Sequence, residues 1–514
     1  MQEAFSRLSD KGRELYILSH TAAILSWDQE TYMPPKAVDE RSEQLSRLEG
    51  LVHDALVSEE LGGLFRDLGA DGIGSPMDDR SSADGTFLND IQRAYIRKFY
   101  RDFLREKKLP KKLVTDLARE ASIAQQRWVE ARKQNDFSIF EPNLKRLLEL
   151  VCEKAEKLGY EDHPYDALLD LFEPEATVAQ IKPVFEKLKI GLKEMIGRIG
   201  RSRQVDNRFL YRSYPVDKQK QFGRRVLEDM GYDFERGRLD LSAHPFTSTL
   251  GSDDVRLTTR YNENFFNTGI FGSIHEGGHG LYELGFAEEI RGNLLADGIS
   301  LGIHESQSRM WENLVGRSVA FWKHYYPELK DMFPDALGDI SLDSFYRGIN
   351  RVEPSPIRVE ADEVTYNLHI ILRFELELEL VTGGLKVENL PSAWNEKMQE
   401  LLGFMPRNDA EGVLQDVHWS HGAFGYFPTY SLGNLYAAQF FHTAGSRIPD
   451  LASDIESGNL TVLLNWLREN IHAHGSVYTA DELCRKVTGE PLQPKHFLDY
   501  IRDKVRTIYE LPGD

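Results

Sequence analysis

The stretch FGSIHEGGHGLYE, residues 271–283, contains the pattern H-E-x-x-H. On an α-helix, residues four positions apart lie on one face, so His275 and His279 can bind one zinc ion while Glu276 points towards the open side of that ion. The two glycines inside the pattern each cost a helix about 1 kcal/mol relative to alanine, which is easier to explain if backbone or ligand approaches closely there. We therefore predict a metal-binding helix; two surface histidines on an amphipathic helix are the alternative.

A catalytic zinc ion needs a third protein ligand and one open coordination position. The extended pattern H-E-x-x-H-x-x-G-x-x-H would require a histidine where the chain has Gly285, so that class of site is excluded. Downstream, the segment IHESQSRMW, residues 303–311, offers Glu305 on a second predicted helix, with His304 as a competing ligand. A carboxylate from this adjacent helix would complete a site of two histidines and one glutamate.

Such a site predicts hydrolysis of an amide bond. A bound zinc ion lowers the pKa of its water towards about 7, Glu276 takes the proton, and the hydroxide attacks a carbonyl that the same ion polarises. Glu276 then protonates the departing amine. The developing oxyanion needs a second donor, for which a tyrosine hydroxyl or a histidine N–H is a common solution.

Helical periodicity dominates the rest of the chain. A capping box formed by Thr177 and Gln180 predicts one helix, which Pro183 either delays or kinks. The alternation of residues 255–261 predicts one short half-buried strand just before the metal-binding helix, and the Gly-, Ser- and Asp-rich residues 68–86 predict a mobile surface loop. The fold class is therefore mostly α with a small β-sheet. Two further long helices are predicted by apolar stripes at Leu88, Ile91, Tyr95 and Phe99, and at Leu113, Leu117, Ala124, Trp128 and Ala131.

Composition excludes several classes of partner. The 514 residues carry 62 Lys+Arg against 82 Asp+Glu, a formal net charge of −20, which argues against a nucleic-acid backbone or an anionic membrane surface. Residues 417–446 lack charged side chains but hold too many glycines, histidines and hydroxyls to cross a membrane. With two cysteines, Cys152 and Cys484, and no readable signal peptide, we expect a cytoplasmic protein without a disulfide framework.

Six short segments along the chain carry further information. The segments are His244-Pro-Phe246, Asp254-Val-Arg-Leu-Thr258, His275-Glu-Gly-Gly-His279, His304-Glu-Ser-Gln307, Ile357-Arg-Val-Glu-Ala-Asp362 and Gly412-Val-Leu-Gln-Asp-Val-His-Trp419. They resemble, in the same order, the signatures of the carboxypeptidase Taq family of zinc metallocarboxypeptidases. The resemblance runs over nearly the whole chain, and six segments in register are far more specific than one H-E-x-x-H.

The resemblance implies one peptidase domain over residues 1–514, with its metal-binding and substrate core at 244–430. It implies a neurolysin-like, two-lobed helical fold around a deep groove, with a small sheet near the metal helix, usually as a homodimer. The implied activity is stepwise release of C-terminal amino acids from peptides, with broad specificity but poor release of proline. The implied metal is zinc, for which cobalt or manganese could substitute. The implied ligands are His275, His279 and Glu305, with Glu276 as the catalytic carboxylate.

A carboxypeptidase must recognise a free α-carboxylate, and arginine does so with a bidentate fork. Arg358 is the first candidate, because Glu360 and Asp362 could hold its fork in place; a buried structural ion-pair network is the alternative. Arg256 is the runner-up. Its companion Asp254 could close the groove end, or both could simply pin the strand to its neighbour.

The oxyanion donor is sought in the charge-free aromatic run. His418 and Tyr426 are the leading pair and Tyr430 follows closely, since related peptidases use a histidine and a tyrosine after the metal helices. Most other aromatic residues in this run must belong to the groove wall and the core. His244 could line the groove or be a core histidine beside Pro245.

Two other functions are compatible with the same residues. An oligo-endopeptidase or a dipeptidase would share the zinc chemistry and differ only in groove closure and in the carboxylate clamp. A catalytically silent helical scaffold would keep the metal pocket, but it would not need Glu276 as a base.

Overall fold

The computed structural model describes residues 1–70 and 88–512, most of which lie in helices. The loop predicted at 68–86 falls, from residue 71 onward, outside the described residues. In chain order the helices are α1 (Gln2–Thr31), α2 (Val38–Leu56), α3 (Glu59–Asp67), α4 (Asp90–Lys108), α5 (Lys111–Gln134), α6 (Glu141–Leu158), α7 (Pro164–Leu169), α8 (Val178–Ile199), α9 (Val216–Met230), α10 (Phe266–Glu283), α11 (Leu301–Arg309), α12 (Val319–Met332), α13 (Pro334–Leu337), α14 (Leu342–Ile349), α15 (Glu363–Val381), α16 (Leu390–Leu402), α17 (Pro428–Arg447), α18 (Leu451–Ser457), α19 (Thr461–Asn470), α20 (Ala480–Thr488) and α21 (Pro494–Tyr509).

The three long helices predicted from apolar stripes and from the capping box are confirmed as α4, α5 and α8. The Thr177 hydroxyl accepts a hydrogen bond from the Gln180 amide at 3.3 Å, and the Gln180 side chain accepts one from the Thr177 amide at 3.0 Å. These two bonds satisfy donors that the first turn of a helix leaves free. Because α8 begins at Val178, Pro183 lies inside the helix and does not delay its start.

Within the described residues, the strands form one three-stranded sheet in the order β1-β3-β2. β3 (Asp254–Thr259) is central, parallel to β1 (Gly237–Leu241) and antiparallel to β2 (Thr247–Gly251). The predicted strand is therefore confirmed, although it ends at Thr259, before Tyr261. Its side chains are more buried than a half-buried strand requires, because β3 packs against α10 as well as between two strands.

Helix α11 lies between α10 and α17, and two glycines permit the close approach. A Cβ atom added at Gly278 of α10 would lie 2.7 Å from the carbonyl oxygen of Gln307, and one added at Gly433 of α17 would lie 2.6 Å from Cγ of Glu305. The expectation that backbone approaches closely at the H-E-x-x-H glycines is thus confirmed at Gly278.

Over the described residues, no helix combines the length and apolarity needed to cross a membrane.

Candidate active site

His275 and His279 project from α10 towards Glu305 on α11. The Nε2 atoms of the two histidines lie 3.7 and 3.5 Å from the same carboxylate oxygen, Oε2 of Glu305. One ligand atom from each of the three side chains lies within 4.8 Å of the other two. These separations exceed ordinary hydrogen-bond lengths and leave room for a cation among the three groups, so the residues present fit a metal ion.

Helix α11 continues directly into a π-helical turn, Met310–Val315, which carries Glu312. The Nδ1 atom of His275 lies 2.9 Å from Oε2 of Glu312, and a carboxylate can only accept there, so Nε2 is turned towards the metal site. Burial alone would raise the pKa of Glu312, but Arg309, His275 and Arg317 together lower it to about 2. Sequence reasoning missed Glu312, for which the only signal is its position seven residues after Glu305, on the same helical face.

The carboxylate of Glu305 is fixed by its own helix. Arg309 donates from Nε to Oε1 at 2.7 Å, and the Ser308 hydroxyl donates to Oε2 at 3.1 Å. Burial favours the protonated acid, but the charges of Arg309 and His275 hold the pKa of Glu305 well below its ordinary value. The group is therefore an ionised ligand, ready for a cation.

His304, the competing ligand, points away from this cluster. Its Nε2 atom lies 2.9 Å from Oε1 of Glu283, and the other oxygen of this carboxylate, Oε2, accepts a hydrogen bond from the Thr249 hydroxyl at 3.0 Å. The His304 ring stacks on the ring of His279 at 4.3 Å. Burial and then the charge of His304 lower the pKa of His279 to about 3, which keeps His279 in the neutral form that binds metals.

Glu276 is buried next to the metal ligands, and β2 holds its side chain. The Thr247 hydroxyl donates a hydrogen bond of 2.7 Å to Oε2 of Glu276, and burial raises the pKa of this carboxyl group. A carboxylate with a raised pKa is a better proton acceptor, as a general base requires. Thr247 was not predicted, although it directly follows the His244-Pro-Phe246 segment.

Arg358 is buried, but the carboxylates predicted to hold its fork do not do so. Its Nε and a terminal nitrogen both donate to Oδ1 of Asp416, at 3.0 and 2.8 Å, and its other terminal nitrogen donates to the Tyr366 hydroxyl at 2.9 Å. Asp362 instead accepts backbone N–H groups at the start of α15, and Glu360 is exposed. The prediction for these two carboxylates was therefore wrong, because one caps a helix and the other faces solvent.

Asp416 joins two arginines beneath the groove wall. Besides Arg358 it accepts a hydrogen bond of 2.7 Å from Nε of Arg373, on α15. Burial would raise the pKa of Asp416, but the two guanidinium groups hold it well below its usual range. The guanidinium of Arg358 lies 4.9 Å from the centre of the Tyr430 ring, which connects this charge network to the aromatic run.

His418, Tyr426 and Tyr430, the candidates from the charge-free aromatic run, form one cluster. The Nε2 atom of His418 lies 3.2 Å from the Tyr430 hydroxyl, and the two tyrosine rings are 5.4 Å apart. Burial lowers the pKa of His418 to about 4, so this ring is neutral at pH 7. Burial and then the charge of Glu305 raise the pKa of Tyr426, which keeps its hydroxyl protonated close to the metal ligands.

Comparisons with known proteins agree with this site. The family model described as carboxypeptidase Taq (M32) metallopeptidase matches residues 7–505. The chain belongs to this family. Thermostable carboxypeptidase 1 of Thermus thermophilus is 43% identical over 99% of both chains, and carboxypeptidase 1 of Bacillus subtilis is 40% identical over 96% of both. The solved structure of an M32 carboxypeptidase from Deinococcus radiodurans has a TM-score of 0.94 at 36% identity, covering 99% of this chain and 100% of that one.

Membership in the M32 family makes this chain a carboxypeptidase and thus a peptide hydrolase of the metallopeptidase class. The resemblance inferred from the six segments is confirmed. The mostly helical fold with a small sheet is confirmed as well, since it matches the solved M32 structure over nearly its full length.

Two other candidates of the M32 chain, Arg256 and Asp254, pair with each other. Both hydrogen bonds between guanidinium and carboxylate measure 2.7 Å, and the Arg256 guanidinium lies 4.3 Å from the centre of the Trp27 ring on α1. Neither is among the described residues that line the groove. These contacts correspond to the alternative in which the pair pins the strand to its surroundings.

His244 is exposed before β2, which excludes a core histidine, and the next residue, Pro245, lines the groove.

The groove beside the metal ligands has a volume of about 1340 Å³, and its lining carries both basic and acidic side chains. Arg309 and Arg317 are committed to the carboxylates around the metal site. Sequence reasoning missed Arg351, which binds Asn207 and Glu353 and keeps its buried Nε without a partner among the described residues. The basic residues of the lining are Arg260, Arg309, Arg317, Arg351, Arg358 and Lys504.

Proposed function

We propose that this M32 protein is a zinc-dependent metallocarboxypeptidase that releases C-terminal amino acids one at a time, with broad specificity and poor release of proline. The observation that carries the proposal is the cluster of His275, His279 and Glu305, with Glu276 beside it, in a large groove. A volume above that of ordinary small-molecule pockets suits a peptide, and the guanidinium of Arg358 in the lining suits a free carboxylate.

Zinc is proposed from the chemistry of the donors. Two neutral imidazoles and one carboxylate form the ligand set of catalytic zinc sites, and the fourth position stays open for water or substrate. Cobalt or manganese could occupy the same donors, since ligand type narrows the choice of metal without fixing it. When bound, the cation supplies Lewis acidity towards the scissile carbonyl and lowers the pKa of a coordinated water.

Glu276 is proposed as the general base and then the general acid. It is buried, its pKa is raised, and Thr247 fixes one carboxylate oxygen, which leaves the other to accept the proton of the attacking water. The same carboxyl group then returns this proton to the departing amine.

His418, Tyr426 and Tyr430 are proposed as the donors for the developing oxyanion. Since the Tyr430 hydroxyl already contacts His418, we assign the direct donation to Tyr426 and the support of the pair to the other two. Burial keeps the phenols protonated, so they can donate at the pH of the reaction.

Arg358 remains the proposed clamp for the substrate α-carboxylate. It lines the groove, and its hydrogen bonds to Asp416 and Tyr366 use only part of the guanidinium, so each terminal nitrogen keeps a further N–H. Arg351, whose Nε has no partner among the described residues, is the second candidate. His244 is retained as a residue at the groove rim.

We also propose that the chain forms a homodimer, that it works in a reducing cytoplasm, and that the groove lies between two lobes as in neurolysin-like peptidases. Both cysteines are free, which agrees with a reducing compartment. Light scattering coupled to size-exclusion chromatography tests the dimer.

The experiment that tests the activity is a mass-spectrometric time course on one peptide with a free or an amidated C-terminus, with and without chelator. We expect a ladder of single-residue losses from the free acid only, abolished by chelator and halted once a proline becomes the C-terminal residue. Internal fragments from both peptides would contradict the proposal and support an oligo-endopeptidase, and release of dipeptides would support a dipeptidase on the same site.

A further inference from the structure

Glu377 is a fully buried carboxylate on α15 that the proposed mechanism does not use. Three donors from two separate segments, α7 and residues 418–426, converge on it. The Tyr165 hydroxyl of α7 donates to Oε2 at 2.5 Å, the Trp419 indole donates to Oε1 at 2.7 Å, and the backbone amide of Gly425 donates to Oε2 at 3.1 Å. All three groups can only be satisfied together by an acceptor with two oxygens, as a carboxylate provides.

Two of these donors stand next to residues of the oxyanion cluster. Trp419 directly follows His418, and Gly425 directly precedes Tyr426. Glu377 therefore holds the segment 418–426 near each of its ends.

Gly425 adds a second constraint on the same segment. Its φ of +91° lies in the region that favours glycine, and an added Cβ atom would lie 2.6 Å from the carbonyl carbon of Leu168. The backbone before Tyr426 is thus pressed against α7, the helix that also supplies the Tyr165 hydroxyl to Glu377. Carboxylate and helix together leave this turn little freedom.

A carboxyl group buried in a protein core carries a cost in desolvation free energy. Burial raises the pKa of Glu377 to about 7, although its three donors and Arg373 favour the charged form. An apolar side chain would avoid this cost but would leave the Trp419 indole and the Gly425 amide buried without acceptors. What the acid provides is a fixed position for the backbone beside His418 and Tyr426.

We propose that Glu377 is a positioning residue for peptide hydrolysis, which fixes the 418–426 segment so that His418 and Tyr426 stand correctly opposite the metal ligands. The proposal rests on the proposed function of Tyr426 as the direct oxyanion donor and of His418 as its support. Glu377 itself touches neither substrate nor metal; it acts through the segment that it holds.

The first test compares Glu377→Gln with the unaltered enzyme on an N-blocked peptide that ends in free alanine. The side-chain amide of this variant has one oxygen in place of two, so its N–H groups face one of the three donors and cannot accept its hydrogen bond. The 418–426 segment should therefore shift, and we expect kcat to fall about tenfold to a hundredfold. KM and the bound metal, measured by plasma mass spectrometry, should stay close to the unaltered values. Tyr325→Phe is the matched control, since it removes a hydroxyl that donates to Asp229 at 3.0 Å outside the groove lining, and kcat should not change.

A double-mutant cycle separates positioning from general stability. In a Tyr426→Phe background, Glu377→Gln should reduce kcat by no more than about twofold further, because both changes impair the same donor. Fully multiplicative losses would overturn the proposal, and so would an unchanged kcat in Glu377→Gln while Tyr426→Phe is impaired; the proposed function would stand in both cases. Full turnover by both Tyr426→Phe and His418→Ala would remove the donor roles, and the proposal with them.

If Glu377→Gln does not fold, Tyr165→Phe decides the question. This variant removes one donor to Glu377 and keeps the ring and the carboxylate, so we expect kcat to fall severalfold with KM unchanged. A kcat equal to that of the unaltered enzyme would overturn the proposal.

Discussion

The two walls of the groove hold their charged groups by different kinds of contact. On the metal wall, Glu305 is held by Arg309 four residues away and by Ser308 three residues away, all within one continuous helical segment. On the opposite wall, Asp416 accepts hydrogen bonds from Arg358, 58 residues distant, and from Arg373, 43 residues distant. One wall is arranged by the spacing along a helix, the other by the packing of the whole fold.

The difference has consequences for what each wall tolerates. A helix fixes side chains three and four residues apart whatever lies elsewhere in the molecule, so the metal ligands depend mainly on α10 and α11. The opposite wall depends on charges that are buried, remote in sequence and satisfied only by each other, so the loss of one partner leaves the others in a low-dielectric interior. Changes on the metal wall should therefore affect turnover more than stability, and changes on the opposite wall should affect both.

The largest effect is expected on the metal wall, from Glu276→Gln. The amide keeps the shape of the side chain and its contact with Thr247 but cannot take a proton, so kcat should fall by about 10²–10⁴-fold. Metal content and the unfolding midpoint should stay close to those of the unaltered protein, measured by plasma mass spectrometry and chemical denaturation. Unchanged turnover would remove Glu276 as the base.

On the opposite wall, Asp416→Ala should produce the largest loss of stability. It leaves Arg358 and Arg373 buried without their shared carboxylate, and breaking a buried pair in this way costs about 3–5 kcal/mol. Asp339→Ala is the matched control, because Asp339 pairs with Arg212 at the exposed surface, where solvent screens the pair and a much smaller loss is expected. Equal destabilisation by the two variants, measured by chemical denaturation, would remove the distinction between the walls.

The same distinction explains which parts of the fold and of the site can be predicted from the sequence. The metal ligands and Glu276 follow from helical spacing within α10 and from the next helix, and the capping box and apolar stripes likewise identify α4, α5 and α8. The partner of Arg358 could not be found in this way, because Glu360 and Asp362 are its neighbours in sequence while Asp416 is its neighbour in space. Arg256 similarly required the structure, since only the packing of α1 shows its contact with Trp27.

Glu173 offers a test that depends on pH. This carboxylate is buried at the start of α11, where it accepts a hydrogen bond of 3.0 Å from the Gly302 amide, and burial raises its pKa from 4.5 to about 7. Between pH 4.5 and about 7 the unfolded chain releases this proton while the folded protein keeps it, so Glu173 makes the folded protein less stable as the pH rises.

We therefore expect Glu173→Gln to gain stability relative to the unaltered protein as the pH rises from about 4.5 to 7, by up to about 3 kcal/mol at 1.36 kcal/mol per unit of pKa. The amide oxygen can still accept from Gly302, so the variant should fold. Denaturation curves at several pH values check the difference between the two proteins. A difference that does not change with pH would show that Glu173 is ionised in both states.

The smallest effects come from two glycines of α17, and they test how tightly the walls are joined. Gly433→Ala would place a Cβ atom 2.6 Å from Cγ and 2.7 Å from Cβ of Glu305, so α11 would have to move at the point where it carries a metal ligand. We expect a loss of about 1–2 kcal/mol in stability and about tenfold in metal affinity, measured by denaturation and by competition with a chelator.

Gly445→Ala, in the same helix, measures how the loss of backbone freedom alone changes the free energy of unfolding. Nothing lies within 4 Å of an added Cβ atom there, so the substitution should only reduce the entropy lost on folding and stabilise the protein by about 0.5–1 kcal/mol, with metal affinity unchanged. Opposite signs for the two variants would mean that Gly433 is required by the approach of α11 to α17, and hence that the two walls are joined at Glu305. If Gly433→Ala instead behaved like Gly445→Ala, α11 could yield without cost, and the metal wall would depend on its own helices alone.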